Sequence, residues 1–192
     1  ELIKESKYGL ERVSDIVSGM KAFSRADNDN KQWFNINNCI ETTLKMVSIQ
    51  LKYHCEISTQ LDANIPNIKI NVGKIIQVLT NILVNAGQAI EENGKIAVKS
   101  SMNNGFVEIA ITDNGSGISK ENIAQLFNPF FTTKPEGEGT GLGLSISFSI
   151  IRENGGEILV NSEIGVGTCF TLRLPENLVC LLSDNTTNVS LA

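Results

Sequence analysis

Residues 126–145 read Leu126-Phe127-Asn128-Pro129-Phe130-Phe131-Thr132-Thr133-Lys134-Pro135-Glu136-Gly137-Glu138-Gly139-Thr140-Gly141-Leu142-Gly143-Leu144-Ser145. Ten of the chain's 16 glycines fall between Gly115 and Gly167, so backbone freedom is concentrated around this stretch. A glycine-rich loop opening into a helix, expected here over about 142–153, presents backbone N–H groups and the positive end of a helix dipole. That combination suits phosphates. It is not a Walker loop, because no Gly-x-x-x-x-Gly-Lys-Ser/Thr occurs, and the Rossmann spacing started from Gly139 ends on Leu144. A mobile surface loop is the other reading, and the aromatic cluster ahead of the glycines speaks against it.

Upstream, Thr112-Asp113-Asn114-Gly115-Ser116-Gly117 follows an expected strand over about 106–112. A carboxylate at a strand end can accept a hydrogen bond from a base amino group, while the glycines let the backbone approach the ring closely. An Asx turn explains the same residues. Further upstream, a helix expected over about 72–91 places Val72, Ile75, Ile76, Leu79, Ile82, Leu83, Ala86 and Ile90 on a broad apolar stripe. Asn81, Asn85 and Gln88 share another face of it. Amides are neutral oxygen ligands that can complete a Mg²⁺ shell whose negative oxygens come from a phosphate, although a plain solvated face is the competing reading.

The remaining pattern alternates short elements. Strands are expected at 33–36, 55–61 and 67–71, with a helix over about 38–50 between the first two. Asn103-Asn104-Gly105 reads as a hairpin turn between strands at 95–101 and 106–112. After the Gly155-Gly156 stop, two more strands, 157–162 and 168–174, flank Gly165-Val166-Gly167. Antiparallel pairs with helices between them indicate a two-layer α/β sandwich. At the N-terminus, Leu10, Val13, Val17 and Met20 form one narrow apolar seam on a helix over 1–25, which needs a partner helix.

Composition narrows the chemistry. The 192 residues are 41% hydrophobic and 19% charged, as in globular chains. With 16 Lys+Arg against 21 Asp+Glu, the net charge of −5 leaves no basic field for nucleic acid or anionic lipid. Apolar runs such as Leu178 to Leu182 fall far short of the roughly 20 residues that cross a bilayer, so a soluble piece is expected. Cys39, Cys55, Cys169 and Cys180 are scattered, which excludes a Cys-x-x-Cys zinc or redox motif. A lone histidine, His54, excludes multi-histidine metal sites.

Taken in order, Asn81-x-x-x-Asn85-Ala86, Asp113-x-Gly115-x-Gly117, Phe130-Phe131-Thr132-Thr133-Lys134 and Gly139-Thr140-Gly141-Leu142-Gly143-Leu144 resemble the N, G1, F and G2 boxes of the two-component sensor histidine kinases. The resemblance covers about residues 1–175. It implies the Bergerat ATP-binding fold: an α/β, more closely α+β, two-layer sandwich with a mixed, largely antiparallel sheet and an N-terminal helix. Residues 1–25 would then be the second helix of a dimerisation and phosphoacceptor hairpin whose first helix lies upstream. Residues 26–32 would be a linker, 33–175 the catalytic domain and 176–192 a flexible tail.

ATP and Mg²⁺ are the implied cofactors. By resemblance Asn85 would bind Mg²⁺, Asn81 and Gln88 would lie near the phosphates, and Asp113 would read the adenine amino group with Gly115, Gly117 and Ile118 beside it. Thr168, in Gly165-Val166-Gly167-Thr168-x-Phe170, would reach the adenine through its hydroxyl or a water. Thr133, Lys134, Gly139, Thr140, Gly141, Leu142 and Gly143 would contact the nucleotide from a lid, with the catalytic weight on Asn85 and Lys134. Gln88 departs from the basic residue many members carry. Relatives that hydrolyse ATP, such as gyrase and the heat-shock chaperone ATPases, carry glutamate where Asn81 stands. An amide cannot take a proton from water, so Asn81 argues for keeping the γ-phosphate for a protein acceptor.

The resemblance places that acceptor histidine on the upstream helix; His54 sits in an alternating strand with no acidic neighbour before Glu56. It also implies a response regulator as partner and a homodimer through the N-terminal helix. No nucleic-acid partner is implied, and membrane contact is left to upstream segments. This portion would be cytoplasmic, with the full protein open to anchoring in the inner membrane. The alternatives are a serine kinase that silences a sigma factor and a nucleotide-sensing adaptor. The seam over 1–25 and the Phe-Phe-Thr-Thr-Lys segment favour the histidine kinase.

Overall fold

The computed structural model describes residues 31–51, 55–135 and 139–176. The expected N-terminal helix, His54 and the tail from residue 177 lie outside the described residues, as do Glu136, Gly137 and Glu138 of the lid. Among the described residues, seven strands and four helices follow in the order β1 (Gln32–Phe34), α1 (Ile36–Leu51), β2 (Cys55–Leu61), β3 (Ile68–Ile70), α2 (Val72–Gln88), β4 (Gly94–Asn103), β5 (Phe106–Asp113), α3 (Lys120–Ile123), α4 (Gly143–Glu153), β6 (Glu157–Glu163) and β7 (Gly167–Pro175).

The main sheet runs β2-β4-β5-β7-β6; β2 is parallel to β4 and the other pairs are antiparallel. β1 and β3 form a separate two-stranded ribbon. Helix α2 packs between α1 and α4, and all three cover one face of the sheet. Val107, Ile109 and Ile111 of β5, with Leu172 and Leu174 of β7, point to that face and meet Ile75, Leu79, Ile82 and Leu83 of α2 in one core. The other face carries charge, with Arg173 paired to Glu108 at 2.9 Å and also to Glu157.

Boundaries shift where side chains cap them. Helix α1 starts at Ile36, two residues before the expected start, because Asn35 Oδ1 accepts from Asn37 N–H at 2.9 Å and ends β1. Helix α2 starts where Asn71 Oδ1 accepts from Lys74 N–H at 3.1 Å. It stops at Gln88 rather than residue 91, yet Ile90 stays buried, so the apolar period ran on through the turn into β4. Asn104 (φ 49) and Gly105 (φ 79) make a two-residue turn with both φ positive, the geometry that joins β4 and β5 without splaying them. Helix α3 is a single turn that the apolar pattern did not announce, capped by Ser119.

Cys39, Cys55 and Cys169 are free thiols. Burial pushes the Cys39 thiol up to about 11, which keeps it protonated and inert. No described helix is long and apolar enough to cross a membrane.

Candidate functional site

The inward-facing series of β5, Val107, Ile109 and Ile111, is continued at the strand end by Asp113. In register beside it, the series of β7, Leu172 and Phe170, is continued by Thr168. Two apolar columns therefore end in a carboxylate and a hydroxyl, 6% and 4% exposed. Asp113 Oδ1 accepts from the backbone N–H of Gly115 at 2.9 Å and of Thr168 at 3.2 Å, which leaves Oδ2 as the oxygen turned to the adjoining cavity. Burial raises its carboxyl above the usual range, and the two N–H bonds pull it partly back.

The cavity, of about 510 Å³, lies between the C-terminal half of α2, the loop after β5, the start of β7 and the segment joining α3 to α4. Part of its wall is polar. Asn81, Asn85 and Gln88 present the amide face of α2 there. Lys134 Nζ donates to Asn85 Oδ1 at 3.1 Å and also to Gln88 Oε1, so both amide oxygens face a cation. Asn81 turns its NH₂ the other way, donating to Gly143 C=O at 3.1 Å and Ser147 Oγ at 3.2 Å in the first two turns of α4. The positive end of that eleven-residue helix opens on the same side.

Glycine is required where the walls close up. Gly117 has φ +74, and a Cβ there would overlap the Glu163 carbonyl of the β6–β7 hairpin. Gly141 has φ +65 and lies against the backbone of Phe130, whose N–H bonds to Gly141 C=O at 2.9 Å. Phe130 itself adopts φ 67, uncommon for a bulky residue, and is 66% exposed. Behind it Phe127 stacks on Phe148 of α4, centroids 5.0 Å apart, fixing the base of the lid.

Residues 71–178 match the family of histidine kinase-, DNA gyrase B- and HSP90-like ATPases. The chain belongs to this family. Sensor histidine kinase ZraS of Escherichia coli K12 is 36% identical over 170 residues, which are 88% of this chain and 36% of ZraS. The catalytic domain of histidine kinase ThkA is 30% identical with a TM-score of 0.70, covering 78% of this chain and 97% of that one. ThkA solved in complex with response regulator protein TrrA gives a TM-score of 0.74 at 28% identity over 88% of this chain and 49% of that one. The chain thus spans about a third of the full-length kinase ZraS.

Membership in a histidine kinase-like ATPase family makes this an ATP-binding domain, and the mixed sheet covered by helices is its α/β sandwich. Of the site residues expected from sequence, Asn81, Asn85, Gln88, Asp113, Gly117, Ile118, Thr133, Lys134, Gly139, Thr140, Gly141, Gly143 and Thr168 line the one cavity. Gly115 and Leu142 stand off its wall. Gly115 instead packs on the Ala89 carbonyl at the end of α2 and holds Asp113 Oδ1, while Leu142 is 5% exposed in the core beneath the lid. A glycine-box spacing marks a backbone shape without saying which side chain faces the cavity.

Sequence reasoning passed over the apolar wall: Val84, Leu126, Phe131, Leu144 and Phe170. Val84 lies three residues after Asn81 and four before Gln88 on α2, and Phe170 follows Thr168 by two on β7, so helical and strand periods could have found both. Asn122 reaches the wall from α3, for which no periodic signal existed.

Proposed function

We propose that the cavity holds ATP with its adenine at Asp113 and its phosphates between Asn85, Lys134 and the first turn of α4. The observation that carries this reading is a nearly buried carboxylate with one oxygen uncommitted, lining the same cavity as apolar side chains, an amide face and an ammonium. Asp113 Oδ2 accepts from the adenine amino group, and Ile118, Leu126 and Phe170 cover the ring. Lys134 leaves the amides and meets phosphate as the lid adjusts.

The donor set suits Mg²⁺. Asn85 Oδ1 and Gln88 Oε1 are neutral oxygens already turned to a cationic group. No cluster of three or more His, Cys, Asp or Glu stands among the described residues, so the negative oxygens come from the nucleotide. We assign Asn85 to the metal, which when bound neutralises charge on the phosphates. Asn81 offers no base for water, and its NH₂ is held by α4. The γ-phosphoryl group is therefore kept for a protein acceptor.

That acceptor is a histidine outside this chain, with transfer onward to a response-regulator aspartate, in a cytoplasmic part of a homodimeric sensor kinase. The names of the relatives and the ThkA–TrrA complex support this reading. The test is calorimetric titration of the 192-residue chain with ADP and Mg-ATP, followed by incubation with γ-labelled ATP. ADP binding that Asp113→Ala abolishes is expected; unchanged affinity overturns the pocket. Label is expected on a separate fragment carrying the upstream helix. Label on this chain that disappears in His54→Gln overturns the acceptor assignment.

A further inference from the structure

Ser162 stands on β6, an edge strand, off the cavity wall, yet it bonds to two residues on that wall. Its Oγ accepts from the Ile118 N–H at 2.8 Å, donates to the Gly167 carbonyl at 3.0 Å and lies 2.8 Å from Thr168 Oγ1. A serine hydroxyl has a single proton. With that proton on Gly167, the contact between the two hydroxyls must be filled by the proton of Thr168. Thr168 then turns lone pairs rather than a donor to the cavity, beside the acceptor Oδ2 of Asp113. Its own N–H is already spent on Asp113 Oδ1. The base-reading end of the site is left with acceptors only from these two side chains.

From this proton count we infer that Ser162 is a specificity-positioning residue that fixes Thr168 as a hydrogen-bond acceptor and so selects 6-amino over 6-oxo purines. The inference rests on the reading of the cavity as an adenine-nucleotide site. An amino group at position six brings two N–H donors to this acceptor end, and a water that donates to Thr168 keeps a second hydrogen for the ring nitrogen N1. A 6-oxo purine brings a carbonyl, which meets the lone pairs of Asp113 Oδ2 and Thr168 and is left unpaired, and its N1–H faces the hydrogen of the bridging water, which must turn to accept it, a costly outcome in a desolvated pocket. Without the Ser162 hydroxyl, the Thr168 proton is free to rotate toward that carbonyl. Ser162 also ties the loop after β5 to the hairpin, as does the Gly165 N–H to Ser116 C=O bond of 2.8 Å, so loop docking has a second support when Ser162 is changed.

The test is the ratio of ADP to IDP affinity, measured by calorimetry on the full chain, for wild type, Ser162→Ala, Ser162→Thr and Thr168→Val. Ser162→Ala is expected to shrink the ratio by about tenfold, and Ser162→Thr, which keeps the hydroxyl, to retain it. Thr168→Val removes the switched group itself, so adding Ser162→Ala to it should change the ratio no further. Equal losses for both nucleotides in Ser162→Ala, or an unchanged ratio, would mean that the serine merely supports the loop and would overturn the inference. Should Ser162→Ala melt below the assay temperature, a wild-type ratio in Thr168→Val overturns it equally. If the wild-type chain binds neither nucleotide, the adenine reading itself fails, an outcome visible before any variant is made.

Discussion

Lys134 donates to the side-chain oxygen of Asn85 across 3.1 Å, occupying the same oxygen to which the metal is assigned. Two cations that share one amide oxygen repel, so the lysine must give way as Mg-ATP enters. Lys134→Met is therefore expected to lower the Mg²⁺ concentration needed for half-maximal ATP binding. At saturating Mg²⁺ the same variant should bind ATP about tenfold more weakly, through loss of a charge-assisted bond to phosphate. A Mg²⁺ requirement that is unchanged or increased would show that lysine and metal do not compete.

Asp113 separates stability from function. Its folded carboxyl lies above the ordinary value because burial outweighs the bonds from Gly115 and Thr168. Such a group favours the fold fully below the unfolded value, and that contribution is lost as pH rises through the raised one. Asp113→Asn keeps an oxygen for both backbone N–H groups and removes the buried charge, so the melting temperature at pH 7 should stay level or rise. Adenine affinity should nevertheless fall at least tenfold or so, because an amide NH₂ now faces the amino group. For the wild type, affinity should weaken on acidification through a pH above the usual carboxylate range. A large loss of stability in Asp113→Asn would contradict the account of its burial.

In the proposed placement the base sits at Asp113 and the metal at Asn85, two different residues of the cavity wall, so their effects should divide by ligand. Asn85→Ala is expected to weaken Mg-ATP by about tenfold or more and to leave adenosine affinity nearly intact, because adenosine has no phosphate through which a metal held by Asn85 would act. Equal losses for the two ligands would mean that Asn85 shapes the fold instead.

What the sequence disclosed was whatever repeats within one element. The helical spacing of Asn81, Asn85 and Gln88 and the polar break of Asp113 in an alternating strand were both visible, and the structure sets them around one cavity. Contacts that join distant segments were not. Lys134 meets Asn85 49 positions away and Ser162 meets Ile118 44 positions away, and neither pair leaves a local period. The parallel pairing of β2 with β4 depends on the long connection through β3 and α2, which alternation within a strand does not encode. The single turn α3 is too short to show a period at all.

The last prediction uses two glycines of opposite demand. Gly73 lies in the first turn of α2 with a negative φ, and a Cβ there would sit at an ordinary 3.6 Å from Asn71 Oδ1. Alanine at that place lowers the entropy of the unfolded chain and fits the helix, a gain of about 0.5–1 kcal/mol, or roughly 2 °C in melting temperature. Gly117 has φ +74 and no room for a Cβ against the Glu163 carbonyl. Gly117→Ala therefore strains the backbone and pushes the loop off the hairpin, a cost of at least about 1 kcal/mol. The loop carries Ile118 on the cavity wall, so nucleotide affinity should drop together with the melting temperature. Gly73→Ala should leave affinity alone. Thermal melts and ADP titrations of the two variants decide the matter: a Gly117→Ala chain that melts and binds like the wild type would show that the loop does not press on the hairpin.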